Sequence, residues 1–298
     1  MPQLNANGLS LHYELSGPED GPAALLIMGL GGQLITWPEP FCAALAAAGY
    51  RVIRFDNRDA GLSTRFTSLG KPNLLKAGIA STLRWPLRAP YSLDDMAADA
   101  LALLDGLGIA SAHVVGISMG GMIAQLMALR QRERVRSLSL LMTHSGHPWL
   151  PGPRWPIRWR MVRRPGLRER EDIIRYSMQT LQLIGSPAFR PDPAALYAQI
   201  ARQYDRSYHP AGVARQTAAI LAAPDRSAAL RALRVPTLIL HGQQDPLIPV
   251  AAAHQLLRLM PQARLELFEG MGHDLPAPLL EPLAAHIVAH WDSSASAG

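Results

Sequence analysis

With 298 residues, 48% of them apolar and only 17% charged, the chain can bury a large core, which excludes a disordered polymer. Its formal charge of +6 invites a nucleic-acid reading. Yet the basic residues are arginines apart from Lys71 and Lys76, and their densest run, Arg154 to Arg175, alternates with proline and tryptophan without any nucleic-acid module, so no such partner is expected. The one cysteine, Cys42, can form neither an internal disulfide nor a zinc cluster and reads as an apolar filler. The start carries no apolar leader, and no apolar run reaches transmembrane length. A soluble, cytoplasmic protein without stable membrane insertion is the expectation.

Two alternating runs ending in Leu9 to Leu15, punctuated by Gly8 and Gly17, predict an antiparallel hairpin. Strand, turn and amphipathic helix then alternate. Ala23 to Met28 reads as a buried strand, Pro40 to Ala48 as a helix and Arg51 to Phe55 as a strand. The helix Leu93 to Leu107 follows, then the strand Ala112 to Ile117, the helix Met119 to Leu129 and the strand Val135 to Met142. Thr237 to Leu240, Ala251 to Leu259, Leu265 to Phe268 and Leu279 to His290 continue the rhythm, and Ser293 to Gly298 reads as a frayed tail. Continuous apolar strands between helices predict an α/β fold, a mostly parallel sheet covered on both faces.

Two stretches break the pattern. Arg65 to Pro90 is too long for an ordinary loop and predicts a flap or a partly helical excursion. From His147 to about Ala228 there are three helical patterns and no strand signal. This predicts a helical cap over 147–228, inserted between core segments 1–146 and 229–298.

The chemistry concentrates at Gly116-Ile117-Ser118-Met119-Gly120. The pattern stands between an apolar strand and a helical run, so Ser118 falls on a tight strand-to-helix turn, the setting of a nucleophile elbow. A serine merely capping a helix would not need glycines on both sides. A serine hydroxyl needs a base, and His273, in a glycine-rich loop before the last helix, is the candidate. His12, His113 and His241 fall in or at strands, where a structural histidine is the default; His254, His286 and His290 fall on helices and read as surface residues. Asp245, just past an apolar strand and before Pro246, is the candidate to orient His273. The backbone N–H groups of Met119 and of Leu30, in Met28-Gly29-Leu30-Gly31-Gly32, are the candidate oxyanion donors. The spacing of those glycines does not match a dinucleotide loop, and no histidine spacing matches a zinc helix, so neither cofactor nor metal is expected. His144, just beyond a strand, is a candidate pocket residue, as are Trp37 and Trp149, together with Trp85, Trp155 and Trp159.

On these residues the chain resembles the α/β-hydrolase superfamily. Phe55-Asp56-Asn57-Arg58-Asp59-Ala60-Gly61-Leu62-Ser63 and Val235-Pro236-Thr237-Leu238-Ile239-Leu240-His241-Gly242 are similar to further signatures of that family. Within it the chain resembles the aclacinomycin methylesterase group and related bacterial carboxylesterases. Many superfamily members have His-Gly where this chain has Met28-Gly29; a main-chain donor survives that change. The resemblance implies a serine hydrolase acting on an ester, amide-like or related acyl substrate, the cap deciding which, and a small-molecule carboxylic ester is the expectation. Its rivals are cofactor-free perhydrolysis of the haloperoxidase type, with the same three residues, and a hydrolase-fold binding protein without turnover.

Overall fold

A computed structural model of the protein describes residues 2–162 and 166–295. Its strands are β1 (Gln3–Ala6), β2 (Leu9–Ser16), β3 (Ala23–Ile27), β4 (Arg51–Phe55), β5 (Ala112–Ile117), β6 (Val135–Leu141), β7 (Thr237–Gly242) and β8 (Arg264–Phe268). They form one sheet in the order β1-β2-β4-β3-β5-β6-β7-β8. The opening hairpin is antiparallel, β2 also runs antiparallel to β4, and every later pairing is parallel. The parallel strands β3, β5 and β7 are buried along their whole length, which is why their sequences lack polar alternation.

The first helices are α1 (Glu39–Ala47), α2 (Leu74–Thr82), α3 (Leu93–Gly106) and α4 (Met119–Arg130). Next come α5 (Trp155–Val162), α6 (Arg170–Ile184), α7 (Pro193–Arg206), α8 (Pro210–Ala222) and α9 (Ser227–Ala232). The last two are α10 (Ala251–Leu259) and α11 (Leu280–Ala295). Side chains of α1 and α11 meet Leu26, Val115 and Leu240 on one face of the sheet. Those of α3, α4 and α10 meet Ile27, Val114 and Ile239 on the other. Each fully buried leucine or isoleucine there contributes about 1.5–3 kcal/mol relative to an exposed one. Helix α3 starts where Ser92 and Asp95 cap each other's backbone N–H groups.

Between β6 and β7 the described residues contain helices and no strand. The sequence shows three helical patterns in this stretch, but the described residues make four helices, α5 to α8, before α9. The shortest of them, α5, stands among prolines that obscure a helical period. Ile174, Leu196, Ile200 and Ala201 give the insertion a small core of its own. The excursion from Arg65 to Pro90 contains α2, which lies against α8.

Two terminal expectations change. Helix α11 continues to Ala295, past the start of the expected tail, while 296–298 lie outside the described residues, as do Arg163 and Arg164 of the basic run. His290, expected at the surface, is buried, and burial pushes its pKa down to about 4. It sits three residues after Ile287 and seven after Leu283, on the stripe of α11 that faces the core.

Candidate active site

The turn between β5 and α4 is made by backbone constraint. Ser118 has φ 55° and ψ −118°, a conformation that costs a non-glycine residue strain. The surroundings hold it there. Its N–H donates to the Leu141 carbonyl at 2.9 Å, and its own carbonyl accepts from the Thr143 hydroxyl at 2.7 Å and from the Gly121 N–H at 3.0 Å. A side chain at Gly120 would collide with the Ile27 carbonyl, and one at Gly116 with the Gly120 backbone. Glycine is required at both positions because three backbone segments meet there.

The hydroxyl so presented faces His273. Their Oγ and Nε2 atoms are 3.0 Å apart, and His273 Nδ1 lies 2.7 Å from Asp245 Oδ2. Asp245 is itself fixed, because its Oδ1 accepts the N–H groups of Leu247 and Ile248, each at 2.8 Å. His241 stands 3.6 Å from Asp245 Oδ2 but donates its Nε2–H to the Ile248 carbonyl at 2.8 Å, and burial holds it neutral by lowering its pKa. The structure thus brings Ser118, His273 and Asp245 into one hydrogen-bonded chain. Asp274, next to His273, turns away to accept from the Ser186 N–H at 2.9 Å and its hydroxyl at 2.5 Å.

The two segments that carry the expected N–H donors adjoin Ser118. Met119 is the first residue of α4, where N–H groups have no partner within the helix. Leu30 occupies the second position of a four-residue turn closed by the Gly32 N–H on the Gly29 carbonyl at 3.1 Å. Gly31, at φ +68°, gives that turn its type II form. A Cβ on Gly29 would stand 3.2 Å from that of Ser118, so this loop lies directly against the serine.

Supporting residues were not singled out as such in the sequence. The Gln216 Oε1 accepts the Gly31 N–H at 2.8 Å, and its Nε2 donates to the Arg58 carbonyl at 2.8 Å, so α8 braces the turn. Asn57 Nδ2 donates to the Met28 carbonyl at 3.1 Å. Buried Arg215 makes a two-pronged pair with Asp59 at 2.8 and 2.7 Å, and Arg206 reaches Asp56 at 2.8 Å. Burial alone would raise the pKa of Asp59, but Arg215, the Phe66 N–H and the Tyr91 hydroxyl bring it below the ordinary value. On the other side, Ile184 accepts the His273 N–H at 2.8 Å, and Ser186 accepts the Gly272 N–H at 2.9 Å. The helical insertion therefore braces both loops beside Ser118.

The pocket candidates separate. His144 is half-buried, and its Nδ1 accepts the Gly146 N–H at 2.9 Å, leaving the ring proton on Nε2. Burial, with Arg226 and His273 nearby, pushes its pKa down to about 4. Trp37 is a core residue rather than a pocket wall, 1% exposed and stacked on Phe41 at 5.6 Å. Trp149 stands out at the surface, 76% exposed, with the Arg84 guanidinium 4.3 Å from its ring centre. Trp85, Trp155 and Trp159 are exposed as well. Among the described residues, no group of three or more His, Cys, Asp or Glu side chains gathers to hold a metal ion.

A strained serine between a parallel strand and a helix, beside a histidine and an aspartate from later loops, defines the hydrolase class of α/β folds. The family model for the alpha/beta hydrolase fold matches residues 22–276. The chain belongs to the α/β-hydrolase superfamily, close to the aclacinomycin methylesterase-like group. Rhodomycin D methylesterase DnrP of Streptomyces peucetius is 31% identical, over 93% of this chain and 92% of its own. 3-Oxoadipate enol-lactonase 2 of Acinetobacter baylyi is 27% identical, over 89% and 87%. Among solved structures, the enol-lactonase from Burkholderia xenovorans LB400 superposes with a TM-score of 0.74 at 23% identity, covering 98% of this chain and all of its own. That likeness shows the fold.

Proposed function

We propose that this protein is a serine hydrolase that cleaves carboxylic esters through an acyl-enzyme intermediate. The observation that carries the reading is the chain of contacts from Ser118 Oγ through His273 to Asp245, at 3.0 and 2.7 Å. His273 Nε2 takes the proton of Ser118 as Oγ attacks the ester carbonyl. The N–H groups of Leu30 and Met119 receive the developing negative charge, aided by the N-terminus of α4. His273 then passes the proton to the departing alkoxide, and a water molecule, deprotonated by the same imidazole, releases the acid. Asp245 keeps the proton on Nδ1 and stabilises the imidazolium. The methylesterase and enol-lactonase names among the relatives support an ester substrate, and relatives called carbamate hydrolases make a carbamate the second member to include in a substrate panel.

In this reading residues 147–228 are a cap over the strand ends, where ligands of open α/β sheets bind. His144, with its proton on Nε2, is a hydrogen-bond donor at that cleft. The substrate is a small ester with an apolar portion, neutral or anionic overall. The test is labelling by a fluorophosphonate, which requires an activated serine, with the adduct located by peptide mass. Modification confined to Ser118 is expected, and an unlabelled protein overturns the reading. A panel of esters varied separately in acyl and alcohol parts then defines the substrate.

A further inference from the structure

Of the twelve large apolar or aromatic side chains exposed among the described residues, eight lie in 69–85 and 149–159. Those two segments are distant in sequence, yet they meet where the Arg84 guanidinium covers the Trp149 ring at 4.3 Å. Their helices are turned the wrong way for a protein in water. On α2 and just beyond it, Leu75, Ile79 and Leu83 repeat every four residues and are 61%, 48% and 52% exposed, while small Ala77 faces inward. On α5, Trp155 and Trp159 are also four apart and exposed, while Ile157 is buried. Trp85 adds a further exposed indole. An isolated exposed leucine needs no explanation, but two adjoining apolar stripes that face solvent do.

The charges around the stripes point to what covers them. Lys71, Lys76, Arg84, Arg88, Arg154 and Arg158 are all exposed, and neither 66–92 nor 148–162 contains an aspartate or glutamate. Indoles beside arginines, with an apolar face and only positive charge, suit the boundary between headgroups and acyl chains. None of the described helices is long and apolar enough to cross a membrane, so any contact is peripheral. We propose that α2 and α5, with the loops carrying Trp85 and Trp149, form one surface that docks on an anionic lipid bilayer. The indoles and the Leu75–Ile79–Leu83 stripe enter the boundary, and the cations meet acidic headgroups. This inference does not depend on the chemistry assigned to Ser118.

Flotation of the full chain with vesicles tests it, using phosphatidylcholine alone or mixed equally with phosphatidylglycerol, at low and high salt. Binding to the mixed vesicles, a blue shift of tryptophan emission and loss of binding in high salt are expected. At low salt, each cation removed should weaken binding about fivefold. Leu75→Ser/Ile79→Ser and Trp155→Ser/Trp159→Ser alter exposed positions on separate helices, and each pair should lower binding at least about tenfold. The first pair should leave turnover of a dissolved ester unchanged. The control Leu15→Ser, exposed but remote in sequence, should bind as the parent does. Failure to float with acidic vesicles, or binding that both pairs leave intact, overturns the proposal. So does a concentration-dependent dimer that the same pairs abolish without any vesicle binding, since a second copy would then be the occupant.

Discussion

The two ends of the helical insertion use the same residue types to opposite effect. At the α8 end, Arg206 and Arg215 are drawn into the protein because Asp56 and Asp59 wait there. Tyr91 joins them through a hydrogen bond to Asp59 at 2.8 Å. At the α5 end, Arg154 and Arg158 are exposed, with no ion pair to a core carboxylate among the described residues, and Trp155 and Trp159 stay outside with them. An arginine beside an aromatic ring thus has no fixed meaning. What decides is whether the sheet domain supplies a buried acid, since an unpaired charge is costly to bury. The α8 end becomes an anchor and the α5 end a surface.

If the anchor only holds the site in shape, the largest loss must come from the chemistry itself. Ser118→Ala should lower kcat by about 10⁴- to 10⁶-fold with an unchanged circular dichroism spectrum. Ordinary turnover by the folded variant would remove Ser118 from the mechanism. Asp245→Asn should lower kcat by about 10⁴-fold, because the amide favours the wrong tautomer of His273. Near-normal kinetics would mean that another group orients the imidazole.

Arginine substitutions compare the two ends directly. Arg215→Met leaves Asp59 buried without its partner and should cost about 3–5 kcal/mol in denaturant unfolding. Arg158→Met, at the exposed end, should stay within about 0.5 kcal/mol. Equal costs would erase the distinction drawn between anchor and surface.

The smallest effect concerns protons in the core rather than either end. His113, His144 and His290 are each held neutral in the fold by burial, with pKa values pushed down to about 4. Between about 6.5 and that value the unfolded chain takes up protons that the folded one refuses. Their contribution is intact above about pH 6.5 and is lost as pH falls through the window. His113→Phe keeps a ring against Tyr50 and Trp291 and should reduce the proton uptake on unfolding in that range by about one. An unchanged pH slope would show that His113 is not the group excluded from protonation.

Ser118 stood out in the sequence because its requirement is local: glycines on both sides, a strand before and a helix after. His273 and Asp245 were legible for a similar reason, each in a short turn beyond a strand. The brace around them was not. Arg215 and Asp59 are 156 positions apart, and no local pattern reveals which of the many arginines is drawn inward. Gln216 is hidden likewise, since its use depends on the Gly31 N–H and the Arg58 carbonyl arriving on either side of it. Tryptophan was ambiguous in another way. Trp37 and Trp149 looked alike in sequence, but the face of the chain on which each falls sends one to the core and the other to the surface. The sheet was more legible than the insertion, because apolar runs report burial directly and short helices broken by proline do not.

Cys42, on the buried face of α1 and 2% exposed, has its thiol pushed up to about 11 by burial. At neutral pH only about one part in ten thousand is thiolate, the form that reacts with maleimides. As it is the only cysteine in the sequence, the native chain is nearly silent to such reagents. A cysteine introduced on α2 or α5 would therefore carry a spin label or fluorophore at one chosen position. Its depth and mobility could then be followed without first stripping the background.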